Sequence, residues 1–512
     1  MTSGNVTGRS VRLRLLRWGA LIAAVYLSFV LFFPLVPTLY DSDRVLDIEM
    51  QLRDGERSIA LIYVLGLLLL FIAYWRILKI IHTYSKENPA SAGSLRTWVL
   101  GLGFLCGVLL IGLYPITALD VVLYVVRSRL SALYDASPML LLPADFPQDP
   151  YIGYAGEYGR TPSPYGPLWE LVARIPVQMG ITDIAAGIVA MKVISLLSYV
   201  GMAVLLGWSA RQEPSRYGVS PVTALTFFAL NPLVLLEAMG NGHNDLLMLA
   251  LMTLGLVFWQ RDRWVLVTLA LTLAALIKVT GLIILPLFGM AVLRAAPDWR
   301  IRLGRLLGMA LVFGLLVLAA YSLAGPFPEV LEGNRHVMFG RIGYTPSYAL
   351  RVLLRYLLPG RVPLIQLPTS LGTGLFILFY VYLLIKLLRR QITLIEAGFL
   401  AYFSQLFLGS TFRIWYPMWL IPFAALNLNS GTYWRTFLFG LTAELSILSY
   451  YILWRWYLSD WGWALTGPLK PYWDYWLVTT WITVPWTFGI PALVPLLIRH
   501  RNPEVYKNQL LI

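Results

Sequence analysis

Apolar residues in this chain run in long blocks, separated by short breaks that are polar or rich in proline, glycine and aromatic residues. Blocks lie near 18–37, 58–75, 97–119, 182–209, 218–236, 246–259, 264–277, 281–293, 306–325, 369–388, 393–410, 414–428, 434–454 and 478–498. Helices are the expected form of such blocks, since a chain in hydrocarbon must pair its own backbone groups. The count is about fourteen candidate spans, the short ones weakest. The fold class expected is therefore all-α and polytopic, about 13–14 transmembrane helices forming one domain over residues 1–512.

Composition agrees with that pattern: 58% of 512 residues are hydrophobic and 13% charged, which excludes an ordinary water-soluble globule. The net charge of +14 is a topology signal. With the N-terminus inside, Lys and Arg concentrate in the short inner loops, while the outer segments balance acids and bases. Both termini are then cytoplasmic, and the long segments 38–57, 120–181 and 326–368 are extracytoplasmic. No basic stretch interleaved with aromatics suggests nucleic acid. Arg9, Arg12, Arg14 and Arg17 precede a first block too long for a signal-peptide core, so an uncleaved anchor is expected. Cys106, the single cysteine, lies inside the third block and offers neither a disulfide nor a thiolate metal site within one chain.

Candidate chemistry gathers in the breaks. Leu119 to Arg129 reads as a helix lying at the membrane interface, with Asp120, Tyr124 and Arg127 on one side. A carboxylate there can take a proton from a substrate hydroxyl, or it can simply cap the helix. Phe146-Pro-Gln-Asp-Pro-Tyr151 and Thr161-Pro-Ser-Pro-Tyr165-Gly-Pro-Leu-Trp169 are averse to both helix and strand and predict a fixed, irregular surface. Asn231-Pro232, Glu237 and Asn241-Gly-His243-Asn244-Asp245 place dense polarity between two apolar blocks, which suits sugar binding by hydrogen bonds. A metal site from Glu237, His243 and Asp245 is the alternative, but one His with scattered oxygens lacks a diagnostic ligand spacing. No metal and no cofactor are expected.

Lys278 interrupts an apolar stretch whose halves are each too short to cross the bilayer, and a shallow hairpin with Lys278 near its tip is expected. Such a cation suits a phosphate at headgroup level, or it snorkels there with no ligand. Arg335, His336, Arg341 and Tyr344 to Ser347 follow, and then Arg413 with Trp415, Tyr416 and Trp419. Arg413, beside Trp415 and Tyr416, can hold a phosphate or pack on a sugar face, and the aromatics can equally be part of an interfacial belt. Lys192 and Glu444 lie deeper in the blocks and either pair or line a cavity.

Taken in order, Asp120, Phe146 to Tyr151, the Tyr165-Gly-Pro loop, Asn231-Pro-Leu, Gly242-His-Asn-Asp245, Lys278 with Pro286, and Arg413 with Trp415-Tyr-Pro resemble the GT-C glycosyltransferases. More narrowly the chain is similar to the bacterial polyprenyl-phosphate-mannose-dependent α-1,6-mannosyltransferases of lipoglycan mannan cores, over roughly residues 95–430. The resemblance implies a sugar, mannose by preference, moved from a polyprenyl-phosphate donor to a glycan or glycolipid acceptor at the extracytoplasmic face, with inversion. It implies an acidic base in the first outer loop, a position that Asp120 matches. The residues' own chemistry and outer placement then assign Lys278, Arg413 and Arg341 to the donor phosphate, and Tyr124, Tyr165, Asn241, His243, Asn244, Asp245, Trp415 and Tyr416 to the substrates, with membrane lipids around the whole. Many GT-C relatives carry two adjacent acids where this chain has Leu119-Asp120-Val121, which leaves Asp120 alone. The competing reading is a transporter or lipid-linked-sugar flippase, which the lopsided outer loops and the lack of an inverted repeat disfavour.

Overall fold

A computed structural model describes residues 8–40, 57–212, 219–339, 343–358, 360–446, 470–501 and 503. Among them the chain is helical wherever it is regular, and the β-type pairings are two isolated bridges, Pro34 with Leu113 and Gly343 with Thr411. Among the described residues seven helices are long and apolar enough to cross a membrane: Ser10–Phe32, Leu61–Glu87, Pro89–Ile111, Ile184–Gln212, Trp299–Ala324, Val362–Leu388 and Thr480–Arg501. The protein is thus all-α and polytopic. Leucines such as Leu311, Leu315 and Leu318 stand exposed along the fifth of these, as a lipid-facing helix requires.

The remaining apolar blocks are where expected, but they are not straight spans. Pro221–Ala229 and Val234–Gly240 form one pair bent by 50°. Pro232 causes the break, because its ring excludes continuation of the preceding helix and it donates no N–H. Asn231 repairs the frayed backbone: its Oδ1 accepts the Leu233 N–H at 3.1 Å and its amide donates to the Tyr74 hydroxyl at 3.3 Å. Asp245–Trp259, Trp264–Ile277, Val279–Ala295, Leu394–Leu408 and Tyr416–Leu426 are short apolar helices. Against the expected count of about fourteen spans, the described residues hold seven helices long and apolar enough to cross, or eight with the bent pair. Hydropathy alone does not distinguish a lipid-facing span from a short helix enclosed by other helices.

Five elements position the site, labelled here in chain order: α1 (Leu95–Ile111), α2 (Asp120–Leu133), α3 (Pro167–Gln178), α4 (Asp245–Trp259) and α5 (Trp264–Ile277). The expected helix from Leu119 to Arg129 is α2, and other helices enclose it. Val121 to Ser131 are all buried, since α2 packs against α3 on one side and Ile184–Gln212 on another. The segment between α2 and α3 is a run of short turns pinned by charge. Arg129 pairs with Asp149 at 2.9 Å, lies 4.8 Å from the Tyr151 ring centre and donates to the Thr182 carbonyl. Asp183 then accepts from Tyr40 at 2.6 Å and Tyr151 at 3.2 Å. The fixed, irregular surface read from the prolines has this physical basis.

Candidate active site

Asp120 is the first residue of α2, directly after the N-cap Leu119. Its half-buried carboxylate accepts a hydrogen bond from the Tyr165 hydroxyl of the proline loop. One turn on, Tyr124 meets Tyr165 edge-on at 5.0 Å and Trp169 at 4.7 Å, and its hydroxyl accepts the Asn244 N–H at 3.5 Å. Another turn on, Arg127 donates to the Thr161 carbonyl at 3.2 Å and the Pro162 carbonyl at 3.4 Å. The expected row of Asp120, Tyr124 and Arg127 does share one side, and that side grips the loop from Thr161 to Trp169.

The other end of this loop touches the interrupted stretch at Lys278. The Gly166 N–H donates to the Ile277 carbonyl at 3.0 Å, and a Cβ at Gly166 would run into the Leu276 carbonyl. Glycine is required there by close approach of two backbones. Lys278 itself is extended (φ −152°, ψ 131°) and separates α5 from a 3₁₀ turn at Val279–Ile283. Fourteen residues of α5 rise about 21 Å, too little to cross a bilayer core of ~30 Å.

Lys278 Nζ stands 2.9 and 2.8 Å from the two oxygens of Asp245, the first residue of α4. Asp245 is fully buried and also accepts from Trp419 Nε1 at 2.6 Å. Around the ammonium are the rings of Tyr416 at 5.2 Å, Trp419 at 5.8 Å and Trp415 at 6.0 Å. The charge of Asp120 also acts on Lys278. Trp415, Tyr416 and Lys278 are thus one assembly, and Trp419 completes it. Trp419 belongs to the aromatic run read in the sequence, but its contact with Asp245 had no sequence signal.

The Gly-His-Asn-Asp stretch is buried, not open to water. Gly242 takes the left-handed conformation (φ +71°), and Val121 of α2 fills the space a Cβ would need. Asn241 donates to Thr117 Oγ1 at 2.6 Å and Glu237 Oε1 at 3.1 Å, and Thr117 donates to the same Glu237 oxygen at 2.7 Å. His243 lies 3.2 Å from Glu237 and stacks on Trp415 at 3.8 Å. Asn241 and His243 thus meet at Glu237, His243 with Trp415 stacked on it, and Asp245 holds Lys278. Glu237 and His243 stand together while Asp245 faces elsewhere. Among the described residues no group of three or more His, Cys, Asp or Glu is placed to hold a metal.

Arg413 is half-buried, and its guanidinium lies beside Gly343, with Nη1 3.6 Å from where a Cβ would stand. The Gly343–Thr411 bridge joins the two segments there. Arg341 lies outside the described residues, as do the side chains of Arg335 and His336. Lys192 and Glu444 do not pair. Lys192 donates to the carbonyls of Leu110 and Ile111, both at 3.4 Å, and of Leu113, satisfying the C-terminal end of α1. Residues that sequence reasoning passed over are Ser163 and Glu170, whose side chains hydrogen-bond to each other behind Tyr165.

Residues 19–294 match a family model described as alpha-(1->6)-mannopyranosyltransferase, N-terminal domain. The chain is similar to alpha-(1->6)-mannopyranosyltransferase A of Mycobacterium tuberculosis, 36% identical over 126 residues, which are 25% of this chain and 24% of the relative. It is similar to the A protein of Corynebacterium glutamicum at 30% over 130 residues (25% and 26%), and to the B protein of the same organism at 32% over 152 residues (27% and 25%). These alignments span about a quarter of the curated relatives. The matched family region includes Asp120, the proline loop, Asp245 and Lys278, and ends before Arg413, Trp415 and Tyr416.

Proposed function

Because the chain belongs to the alpha-(1->6)-mannopyranosyltransferase family, we propose that it moves a mannosyl unit from a polyprenyl-phosphate donor to a hydroxyl of a glycan or glycolipid acceptor, at the extracytoplasmic face and with inversion. The observation that carries the reading is the convergence of one half-buried carboxylate, Asp120, with one cation, Lys278, across the Tyr165–Gly166 loop.

In this reading the acceptor oxygen attacks the anomeric carbon while its proton passes to Asp120. The carbon–oxygen bond to the phosphate breaks, and the electron pair leaves on the polyprenyl phosphate. A positioned base contributes about 10²- to 10⁴-fold to such a step. The Tyr165 hydroxyl holds the Asp120 carboxylate in place. An ammonium has three donors, and Lys278 spends two on Asp245, which leaves one for the departing phosphate. Arg413 is assigned to the same phosphate, where its planar fork suits two oxygens, and Arg341 is assigned with it. Charge growing on that phosphate is where fixed cations lower a barrier most.

The test is transfer by the purified chain in lipid nanodiscs, given polyprenyl-phosphate-[¹⁴C]mannose and an α-1,6-linked manno-oligosaccharide. Label in a lengthened oligosaccharide of opposite anomeric configuration to the donor is the expected result. Intact labelled lipid crossing the bilayer of proteoliposomes, with no transfer, would establish the transporter reading in its place.

A further inference from the structure

A cavity of about 690 Å³ opens between the end of α2, the loop of residues 135–141, α3 and the residues from Ser322 to Glu329. Its size lies within the range of roughly 300–1,000 Å³ common to small-molecule sites. It is separate from the Lys278 assembly, although α3 borders both. Trp169 of α3 faces Tyr124, whereas Glu170 and Arg174, one turn apart, line the cavity.

The lining is suited to hydroxyls and ill-suited to a phosphate. Asp135, Glu170 and Glu329 outnumber Arg174, so an anion would meet net repulsion. The same carboxylates accept strongly from sugar hydroxyls. Two buried groups in the lining, Ser137 Oγ and Arg174 Nε, have no hydrogen-bond partner among the described residues. Buried polar groups normally find partners, and a polyhydroxyl ligand would supply them. Pro138, Leu140 and Pro167 give the carbon surface on which the C–H face of a pyranose rests.

A chain of contacts leads from this cavity to Asp120. Glu170 accepts from the Ser163 hydroxyl, the Ser163 oxygen accepts the Tyr165 N–H at 3.3 Å, and the Tyr165 hydroxyl donates to Asp120. Building on the transferase reading above, we infer that this cavity is the subsite for the neutral oligosaccharide arm of the acceptor, behind the sugar whose hydroxyl reacts.

The experiment compares α-1,6-linked mannobiose and mannotetraose as acceptors, and measures their direct binding by saturation-transfer NMR, for wild type and the variants Arg174→Ala, Arg174→Lys and Glu170→Gln. The tetraose should bind better than the biose, and Arg174→Ala and Glu170→Gln should each raise the tetraose KM about tenfold or more and erase that preference, with donor KM unchanged. Arg174→Lys, which keeps the charge, should recover part of the loss and guards against a folding defect. Equal KM values in wild type and variants would overturn the subsite, as would tighter binding of a polyprenyl phosphate in the cavity. If wild type transfers no mannose, the transferase reading fails by itself. The NMR result still decides the subsite: variant-sensitive tetraose binding supports it, and no binding to wild type removes it.

Discussion

Lys278 and Asp245 form a two-pronged ion pair, with Nζ 2.9 and 2.8 Å from the carboxylate oxygens, against a wall of Trp415, Tyr416 and Trp419. The pair joins two short helices that cannot cross a bilayer alone, so it serves the fold as well as the proposed chemistry. Lys278→Met should leave Asp245 buried beside Trp419 with an uncompensated charge, at about 3–5 kcal/mol of stability. Thermal unfolding in detergent measures this. The double variant Lys278→Met/Asp245→Leu should recover most of the stability while transfer stays lost. A single variant as stable as wild type would mean that the pair is not formed.

Asp120→Asn should keep the contact with Tyr165, since the side-chain carbonyl still accepts, and should lower transfer by about 10²- to 10⁴-fold. Tyr165→Phe removes the donor that holds the carboxylate in place. Its rate should fall less than that of Asp120→Asn, as a loss in kcat with donor KM near the wild-type value. A kcat equal to wild type would reject Tyr165 as the residue that positions Asp120.

The sequence made the membrane architecture and the row Asp120, Tyr124, Arg127 legible, because both depend on local periodicity. Block boundaries at 264–277 and 281–293 also agree closely with the observed short helices. What stayed hidden was depth. Asn241, His243 and Asp245 are polar residues between apolar blocks, and that pattern is the same whether they meet water or one another. Only the fold shows that Thr117 and Glu237 satisfy Asn241, and that Lys278 and Trp419 satisfy Asp245. The Ser163–Glu170 contact was hidden for a related reason: a serine among prolines carries no mark of the acid seven residues on that receives its hydrogen bond.

Gly166→Ala tests the junction between the proline loop and the Lys278 break. The new methyl has no room against the Leu276 carbonyl, which is backbone and cannot swing aside. The loop must retreat, carrying Tyr165 away from Asp120. Transfer should drop at least tenfold with Asp120 and Lys278 both intact, consistent with the sensitivity of catalysis to displacements of about 1 Å. Wild-type kcat/KM in this variant would show that the close approach of the two backbones has no functional weight.

Transfer should proceed unchanged in excess EDTA. The proposed step uses a carboxylate base and fixed cations, and Asp245, the third ligand candidate beside Glu237 and His243, is committed to Lys278. Activity that vanishes with chelator and returns with Mg²⁺ or Mn²⁺ would require a metal-assisted route for the departing phosphate.

Glu170 supplies a pH test of the network behind Tyr165. It lies in α3, outside the spanning helices. Burial pushes its carboxyl above the ordinary range, while the Ser163 hydroxyl and the Arg127 guanidinium pull it part of the way back. A carboxyl raised in the folded state holds its proton longer there than in the unfolded chain, whose value is about 4.3. Its contribution to stability is therefore complete below that value and is lost as pH rises through the folded value. Glu170→Gln stays neutral throughout and keeps a carbonyl to accept from Ser163. The melting temperature of Glu170→Gln minus that of wild type should thus grow as pH is raised from about 4 and then level off. Scanning fluorimetry across that range gives the difference directly. A difference that instead shrinks with rising pH would mean that Arg127 and Ser163 outweigh burial and that Glu170 works as a stabilised anion.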